Sequence, residues 1–393
     1  MKTNMIKIAF RKNHIYLVIL FFSYFIRRIL SIIINKNYAL SNSLIFCYFM
    51  CLGQMIGGFI ISCYQGHFLK QKGNKSSRKR KIFTLIKTEK KMKQIDKYYK
   101  IYFLIFLASL FDLEEYFIIS DFIPKVASLS TTSDLRLCFI MTVSSSLICI
   151  FALKYKIGRH QILSMIILSI CSLIIIILEF IYKPENIRFS KYITSFILLI
   201  LHFVFRSFTD VIEKYLGEYN YISPFKMIMI EGISTFIMTS IYAIFNYRFK
   251  EIVDVYNKIN TLEFIVLILL LFLYFIFCAL VNIYKTYCNV LYSPMAKCLA
   301  SYFLNSAFII YHYAFGNDFI SDGKKNFFYF FINLIFSIII DLFGLVYNEF
   351  FVLNFCNLSE ETYHGITYRL MAKEMDLIDK NKARESSISF EDE

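Results

Sequence analysis

The chain has 393 residues, of which 58% belong to the hydrophobic set and 18% are charged, and its mean hydropathy is +0.55. Soluble domains average about half apolar and about a quarter charged residues, so this composition excludes a soluble protein and indicates an integral membrane protein. The formal net charge is +14. Because the basic residues lie beside apolar segments without a nucleic-acid-binding module, we expect no nucleic-acid partner.

Ten segments, each of about 20 predominantly apolar residues, follow one another along the chain, and a helix of that length crosses the hydrocarbon core of a bilayer. The first contains the pair Arg27 and Arg28, and the fourth opens with Asp134 and Arg136, so these two are the least apolar. The sequence thus predicts an all-α, polytopic membrane protein with about ten transmembrane helices, in residues 15–34, 44–64, 101–124, 135–153, 162–182, 192–212, 225–245, 262–287, 295–315 and 327–355.

The connection between the second and third segments, residues 66–100, is strongly basic, with thirteen basic residues and two acidic ones. By the positive-inside rule this loop faces the cytoplasm. Two helices precede it and ten are predicted in all, so both termini are expected there too. The sequons at Asn74 and Asn357 then lie in the cytoplasm, unglycosylated. The loop is also suited to anionic lipid headgroups, at about 1 kcal/mol per basic residue near the surface.

The sequence contains no recognisable catalytic or metal-binding motif. Its ten cysteines lie within or at the edges of apolar segments without a CxxC pair, which is typical of small packing residues. No HExxH, GxSxG or phosphate-loop pattern is present. We therefore predict no metal, no cofactor and no enzymatic activity. The row His202, Arg206 and Asp210, at four-residue spacing, leaves an intramembrane transferase as an alternative.

Ionisable residues inside lipid-spanning helices are costly and usually face a cavity or a partner. In the third segment Asp112 and Glu115 are three residues apart and share a helical face, and in the sixth a row of charges begins at Arg206 and includes Asp210 and Lys214. The predicted substrate-binding residues are Asp112, Glu115, Arg206, Asp210, Lys285 and Lys297.

Other charges in the segments have a simpler interpretation. Lys214, Glu231 and Glu349 lie near predicted helix ends, so we interpret them as side chains that snorkel to the headgroups. Ser-Pro pairs at Pro224 and Pro294 directly precede apolar segments and predict helix starts. Backbone N–H groups at such a start attract anions, and Lys297 is predicted one turn inside the ninth helix. A phosphate or nucleotide would suit that site, although the same pattern also occurs at ordinary helix starts.

Three stretches carry a family resemblance: RSFTDVIEKYLGEYNYISPFKMIMIEG (206–232), NIYKTYCNVLYSPMAKCLASYFLNS (282–306) and YNEFFVLNFCNLSEETYHGITYR (347–369), with a weaker echo in LGQMIGGFI (52–60). Through them the chain resembles the drug/metabolite transporter superfamily, which includes EamA-type exporters and nucleotide-sugar transporters, and in particular a protist branch of it. The resemblance implies a five-plus-five inverted repeat around a central cavity lined by helices one to four and six to nine. The chain departs from that family in having only 12 glycines.

These features predict an N-terminal half at 1–187, a C-terminal half at 188–356 and a cytoplasmic tail at 357–393. We expect a secondary transporter or exchanger of a small polar or anionic metabolite, with nucleotide sugars the favoured class. The alternative is a non-transporting membrane scaffold or receptor that retains the fold. The expected partners are a small-molecule solute and the lipid bilayer, and a homodimer is compatible with these features. We expect a eukaryotic endomembrane, with the plasma membrane as the alternative.

Overall fold

The computed structural model of the protein describes residues 6–8, 15–38, 44–72, 95–117, 138–155, 157–181, 189–219, 222–245, 253, 259–291, 296–315, 320–321, 324–354, 358–362 and 366. Ten helices make up most of these residues: α1 (Ile15–Tyr38), α2 (Leu44–Lys72), α3 (Ile95–Phe117), α4 (Cys138–Leu153), α5 (Arg159–Ile181), α6 (Phe189–Tyr219), α7 (Pro224–Phe245), α8 (Thr261–Leu291), α9 (Cys298–Phe315) and α10 (Phe327–Tyr347). The described strands are β1 (Ile6–Ile8), β2 (Ile320–Ser321), β3 (Lys324–Lys325) and β4 (Phe351–Leu353).

The protein is an all-α membrane protein with several membrane-crossing helices, as the composition predicted. Within the described ranges, six helices are long and apolar enough to cross a bilayer, namely α1, α2, α5, α7, α8 and α10. A helix also occupies each of the ten predicted segments. Among the remaining four, α3 contains Asp112 and Glu115 of the predicted site and α6 contains Arg206 and Asp210.

The outer faces of the helices are apolar and their inner faces contain polar side chains, the reverse of a soluble bundle. Helix α5 shows this clearly, because Ile162, Ile166, Ile170 and Leu173 recur at helical spacing and are all exposed. The opposite face of the same helix buries serine, at Ser164 and Ser172, among apolar residues. An exposed apolar stripe of this length requires lipid around it.

Several predicted boundaries were wrong, and three of them affect the site or the tail. The tenth predicted helix ran to residue 355, but α10 ends at Tyr347, followed by a capping Asn348 and by Glu349 with a positive φ of 59°. The ninth was predicted from residue 295, but α9 begins at Cys298 and Lys297 lies in the turn before it. The sixth was predicted to end at residue 212, but α6 continues to Tyr219, because its charged residues have partners inside the bundle.

The first and last parts of the chain meet at one end of the bundle. Strand β1 pairs antiparallel with β4, with Ile6 opposite Leu353 and Ile8 opposite Phe351. At the start of α5, the Arg159 guanidinium lies 3.2 Å from a carboxylate oxygen of Glu361, and its backbone N–H donates to the same carboxylate. We call this the tail end of the bundle. Most of the basic loop and of the segment 357–393 lies outside the described residues.

Helix α2 is held tightly between α7 and α8 by glycines. A Cβ atom added to Gly58 would lie 2.7 Å from the carbonyl oxygen of Phe225 in α7, and one added to Gly53 would lie 2.9 Å from a backbone nitrogen in α8. On α7, a Cβ at Gly232 would lie 2.7 Å from the backbone nitrogen of Met55. The chain has few glycines, but these are placed where backbones approach most closely.

Candidate functional site

The site begins with a row of charges on the inner face of α6. Arg206, Asp210 and Glu213 are separated by four and then three residues, so they lie on one side of the helix. Asp210 and Glu213 are buried, and Arg206 is partly buried. The Arg206 guanidinium donates a hydrogen bond of 3.2 Å to the hydroxyl of Tyr24 in α1.

Two lysines from other parts of the chain meet this row. Lys297, in the turn before α9, forms an ion pair with Asp210. The ammonium nitrogen of Lys285, on α8, lies 3.7 Å from Asp210 Oδ1 and 3.7 Å from Glu213 Oε1. Lys285 is 5% exposed and Lys297 is 2% exposed, so both ammonium groups are removed from lipid headgroups. Two cations and two carboxylates therefore form one buried network.

Asn289 fixes the relative position of α6 and α8 at this network. It lies four residues after Lys285, on the same face of α8. Its side-chain amide donates to Glu213 Oε2 at 2.7 Å and to the main-chain carbonyl of Asp210 at 3.1 Å. The carboxylate of Glu213 therefore has two partners from α8, one charged and one neutral.

Two further carboxyl groups face the network from neighbouring helices. Asp112, on α3, is buried and accepts a 3.3 Å hydrogen bond from the Gln54 side chain of α2. Glu231, on α7, is buried within electrostatic reach of Glu213, Asp112 and Lys285. Together these groups form what we call the charged cluster: Asp112, Arg206, Asp210, Glu213, Glu231, Lys285 and Lys297.

Five of the six predicted site residues lie in the charged cluster, although they are far apart in sequence: Asp112, Arg206, Asp210, Lys285 and Lys297. The side chain of the sixth, Glu115, lies outside the described residues. That these residues bind a substrate stays a prediction. Their convergence from α3, α6, α8 and the turn before α9 defines one place where they could act together.

Glu213 was not among the predicted site residues, and the predictions for two of its neighbours were wrong. We assigned Lys214 to the row on α6, but seven residues bring a helix within about 20° of the starting side, whereas eight rotate it about 80° past. Glu213, seven residues after Arg206, is therefore the residue that belongs to the row on α6. The interpretation of Lys214 and Glu231 as snorkelling side chains was wrong, because the first is 2% exposed and the second 1% exposed. Glu349 is part-buried, and its carboxylate lies 3.6 Å from His160 Nε2 at the tail end.

A second group of polar side chains lies between α9 and α10. Ser306 donates a 2.6 Å hydrogen bond to Asp341 Oδ2, and the Asn305 amide donates to Ser337 at 3.2 Å. Asp341 is buried, and no basic residue contacts it in the part of the chain that the structure describes. None of the contacts named here joins this group to the charged cluster.

The arrangement supports binding of ions or polar molecules better than covalent chemistry. Among the described residues, no group of three His, Cys, Asp or Glu side chains is arranged to hold a metal ion. The acidic and basic groups of the charged cluster instead form ion pairs between α6, α8 and the turn before α9. An anionic ligand could therefore replace a carboxylate beside one of the lysines, and a cationic ligand could replace a lysine beside one of the carboxylates.

No protein-family model matches the chain, and no curated protein matches it either. The likeness to the drug/metabolite transporter superfamily therefore stays a prediction from sequence, and the function must be argued from the geometry of the charged cluster.

Proposed function

We propose that the protein is a secondary transporter or exchanger that moves a small polar or anionic metabolite across a membrane, with nucleotide sugars as the favoured class. One observation carries the proposal: a buried network of paired charges lies between helices whose outer faces are apolar. Each charge at the centre of a membrane helix costs about 2.5–3.5 kcal/mol or more to insert. Buried ion pairs seldom repay such a cost in stability, so this network indicates a function.

The two lysines are the groups best placed to bind substrate. Lys285 and Lys297 both approach Asp210, so an incoming anionic group would exchange places with a carboxylate that is already there. Exchange of one anion for another avoids leaving either ammonium group unpaired in a water-poor site. A phosphate or diphosphate group, which spreads negative charge over several oxygens, fits two converging ammonium groups. This supports the anionic substrate class.

The helix contacts support the finer prediction of ten crossings arranged as an inverted repeat. If helix n of the first half corresponds to helix n+5 of the second, the packing of α1 on α8 corresponds to that of α6 on α3. In the same way α2 on α8 corresponds to α7 on α3, α4 on α6 to α9 on α1, and α4 on α5 to α9 on α10. The contacts α2–α7, α4–α9 and α5–α10 map onto themselves. The smaller contacts among α6, α7 and α8 do not follow this rule, and the charged cluster lies there.

Five crossings per half would reverse the direction of the second half, which is the arrangement in which secondary transporters expose a midplane site to each side in turn. The pairing of β1 with β4 fits an even number of crossings, because it brings the first and last segments to one side. We place that side in the cytoplasm because the loop 66–100 is basic. A eukaryotic endomembrane is the proposed location.

Transport by purified protein in liposomes tests the role of the lysines. Lys297→Gln removes the ion pair with Asp210 and should lower exchange of labelled UDP-N-acetylglucosamine at least ~10-fold, since loss of one partner of a buried pair costs about 2–5 kcal/mol. The matched control is Lys226→Gln, which removes an exposed lysine of α7. Equal exchange by Lys297→Gln and wild type would exclude Lys297 from the site. Charge-neutralising variants that are all silent, combined with harmful deletions in the basic loop, would favour the scaffold alternative.

A further inference from the structure

Glu231 is the one carboxyl of the charged cluster without a direct partner among the described residues. It is 1% exposed and its Oε1 atom has no hydrogen-bond partner. The hydroxyl of Thr235 donates to the main-chain carbonyl of Glu231 and therefore leaves the carboxyl unsatisfied. The residue lies seven positions into α7, about 10 Å along the helix axis from its start. An ionised carboxylate in such surroundings costs several kcal/mol.

The groups that face Glu231 from the neighbouring helices do not compensate its charge. Helix α3 contributes Asp112 and helix α6 contributes Glu213, both acidic. Helix α8 contributes Lys285, whose ammonium group already lies between Asp210 and Glu213. Helix α2 packs beside the neighbouring Gly232 through the main-chain carbonyl of Cys51 and the side chain of Gln54, and both groups are uncharged. An ionised Glu231 would thus face the carboxylates of Asp112 and Glu213. It would also share the ammonium group of Lys285 with Asp210 and Glu213.

The charges of the cluster as a whole do not balance. It contains three basic groups and four acidic groups, and the groups are Arg206, Lys285, Lys297, Asp112, Asp210, Glu213 and Glu231. Arg27, the nearest further guanidinium, interacts with Arg206 and with Tyr24, Tyr274 and Cys278, and with none of these carboxylates. One bound proton would make these seven groups neutral overall. Glu231 is the acidic group best suited to bind that proton, because protonation would break no ion pair or hydrogen bond of its carboxyl among the described residues.

We infer that Glu231 is a proton-binding carboxyl and that its proton is carried together with the anionic substrate. The inference rests on the proposed transport function. The proton comes from water on one side, forms the carboxyl O–H bond, and returns to water on the other side. Binding of an anion at Lys285 and Lys297 adds negative charge beside Glu231, so the proton and the anion favour each other's binding by the same factor. The transporter is therefore a proton–anion symporter.

Infrared spectroscopy of the purified protein in lipid nanodiscs tests the proton site without a substrate. A protonated carboxyl has a carbonyl stretch distinct from that of a carboxylate. Near neutral pH the wild type should show such a band, and Glu231→Gln should lack the part that Glu231 contributes. Asp341→Asn is the matched control, since Asp341 is also buried without a basic contact among the described residues but lies between α9 and α10. This variant should keep the part of the band that Glu231 contributes. Identical bands in Glu231→Gln and wild type would overturn the inference.

Transport tests the coupling. Liposomes with an acidic exterior should accumulate labelled UDP-N-acetylglucosamine or inorganic phosphate through the wild-type protein. Glu231→Gln should not accumulate the same probe, and the rate at which it moves the probe should not respond to a pH gradient. Glu231→Asp, which keeps the carboxyl, should restore accumulation, and size-exclusion chromatography confirms that each variant is folded.

The outcomes separate the inference from the proposed function. Accumulation by Glu231→Gln at the wild-type level contradicts the coupling while transport stands. A wild type that moves neither probe, together with a Glu231 band in the infrared spectrum, contradicts the transport function and with it the coupling. A wild type that exchanges a probe without any response to pH contradicts the coupling alone.

Discussion

At the scale of single residues, Asn289 stabilises the charged cluster without bearing a charge. Its amide contacts Glu213 and the main-chain carbonyl of Asp210, so Asn289→Ala leaves two buried acceptors with one donor fewer. We expect a loss of about 1–3 kcal/mol in unfolding free energy. The chain has no tryptophan, but seven of the eight cysteines whose side chains the structure describes are buried, so a thiol-reactive dye reports unfolding on heating.

Asn37→Ala is the control for this measurement, because Asn37 is exposed near the end of α1 and its loss should leave the melting temperature unchanged. Equal melting of Asn289→Ala and wild type would show that the α6–α8 contact does not depend on this amide.

The residue scale also shows how far the sequence could predict the site. A charge inside an apolar segment is visible from composition, which is why Asp112, Arg206 and Lys285 could be identified. The pairing of Asp210 with Lys297, which is 87 positions away, depends on how helices pack and has no local signal. Glu213 could have been found from helical geometry alone. Glu231 required the structure, because only its neighbours distinguish a buried acid from one near a headgroup.

At the scale of elements, the closeness of α2 and α7 depends on glycine. Gly232→Ala should separate the two helices, because the new Cβ would lie 2.7 Å from a backbone nitrogen that cannot move independently. Overpacking of this kind costs about 1–3 kcal/mol and should reduce the fraction of protein that elutes as a single species on size-exclusion chromatography. Gly57→Ala is the control, because its Cβ would lie 3.2 Å from the end of the Ile283 side chain, which can rotate away, and 3.4 Å from the carbonyl oxygen of Ala279, an ordinary contact distance. A greater loss for Gly57→Ala than for Gly232→Ala would contradict this account.

The pairing of β1 with β4 predicts a crosslink. Cysteines introduced as Ile8→Cys and Phe351→Cys are direct partners in the register, so mild oxidation should join the two segments, as detected by mass spectrometry of the linked peptide. The pair Ile8→Cys and Ser321→Cys should not crosslink, since Ser321 lies in the connection between α9 and α10, at the other end of α10. Efficient linkage of the second pair, or none of the first, would contradict the shared tail end.

The positions of the helices could be predicted from the sequence, whereas the end of α10 and the pairing of its following strand could not. Runs of apolar residues located every described helix, and six of these helices have the length and hydropathy that a bilayer crossing requires. The end of α10 was missed because residues 348–355 continue the apolar pattern as a turn and a strand. Hydropathy does not distinguish a strand from the last turn of a helix. The partner of that strand, β1, is some 340 residues away, so no local pattern could indicate it.

At the scale of the whole molecule, the charged cluster lies where helices from both halves of the proposed repeat pack together. The helices that form it, α3, α6, α7 and α8, belong to both halves of the proposed repeat. Movement of one half against the other would therefore change which charges face each other. The salt bridges of the cluster join α6 to α8 and to the turn before α9, all in the second half, and across the halves Arg206 donates to the Tyr24 hydroxyl of α1. A substrate that replaces one of these partners would favour a different arrangement of the halves. The sequence predicted the segments in which the described helices lie. It did not predict these contacts, since no internal similarity between the halves is visible in the sequence.

Counterflow in proteoliposomes is the most direct test of the central claim, that the buried charged cluster binds and moves an anion. Vesicles preloaded with unlabelled solute are presented with labelled nucleotide sugar, phosphate ester, nucleoside or amino acid in separate experiments, using wild type and the double variant Lys285→Gln/Lys297→Gln. The account predicts rapid counterflow of an anionic solute by the wild type and a loss of at least ~10-fold in the double variant. Counterflow no faster than in protein-free vesicles for every solute, or equal rates in both proteins, would contradict it.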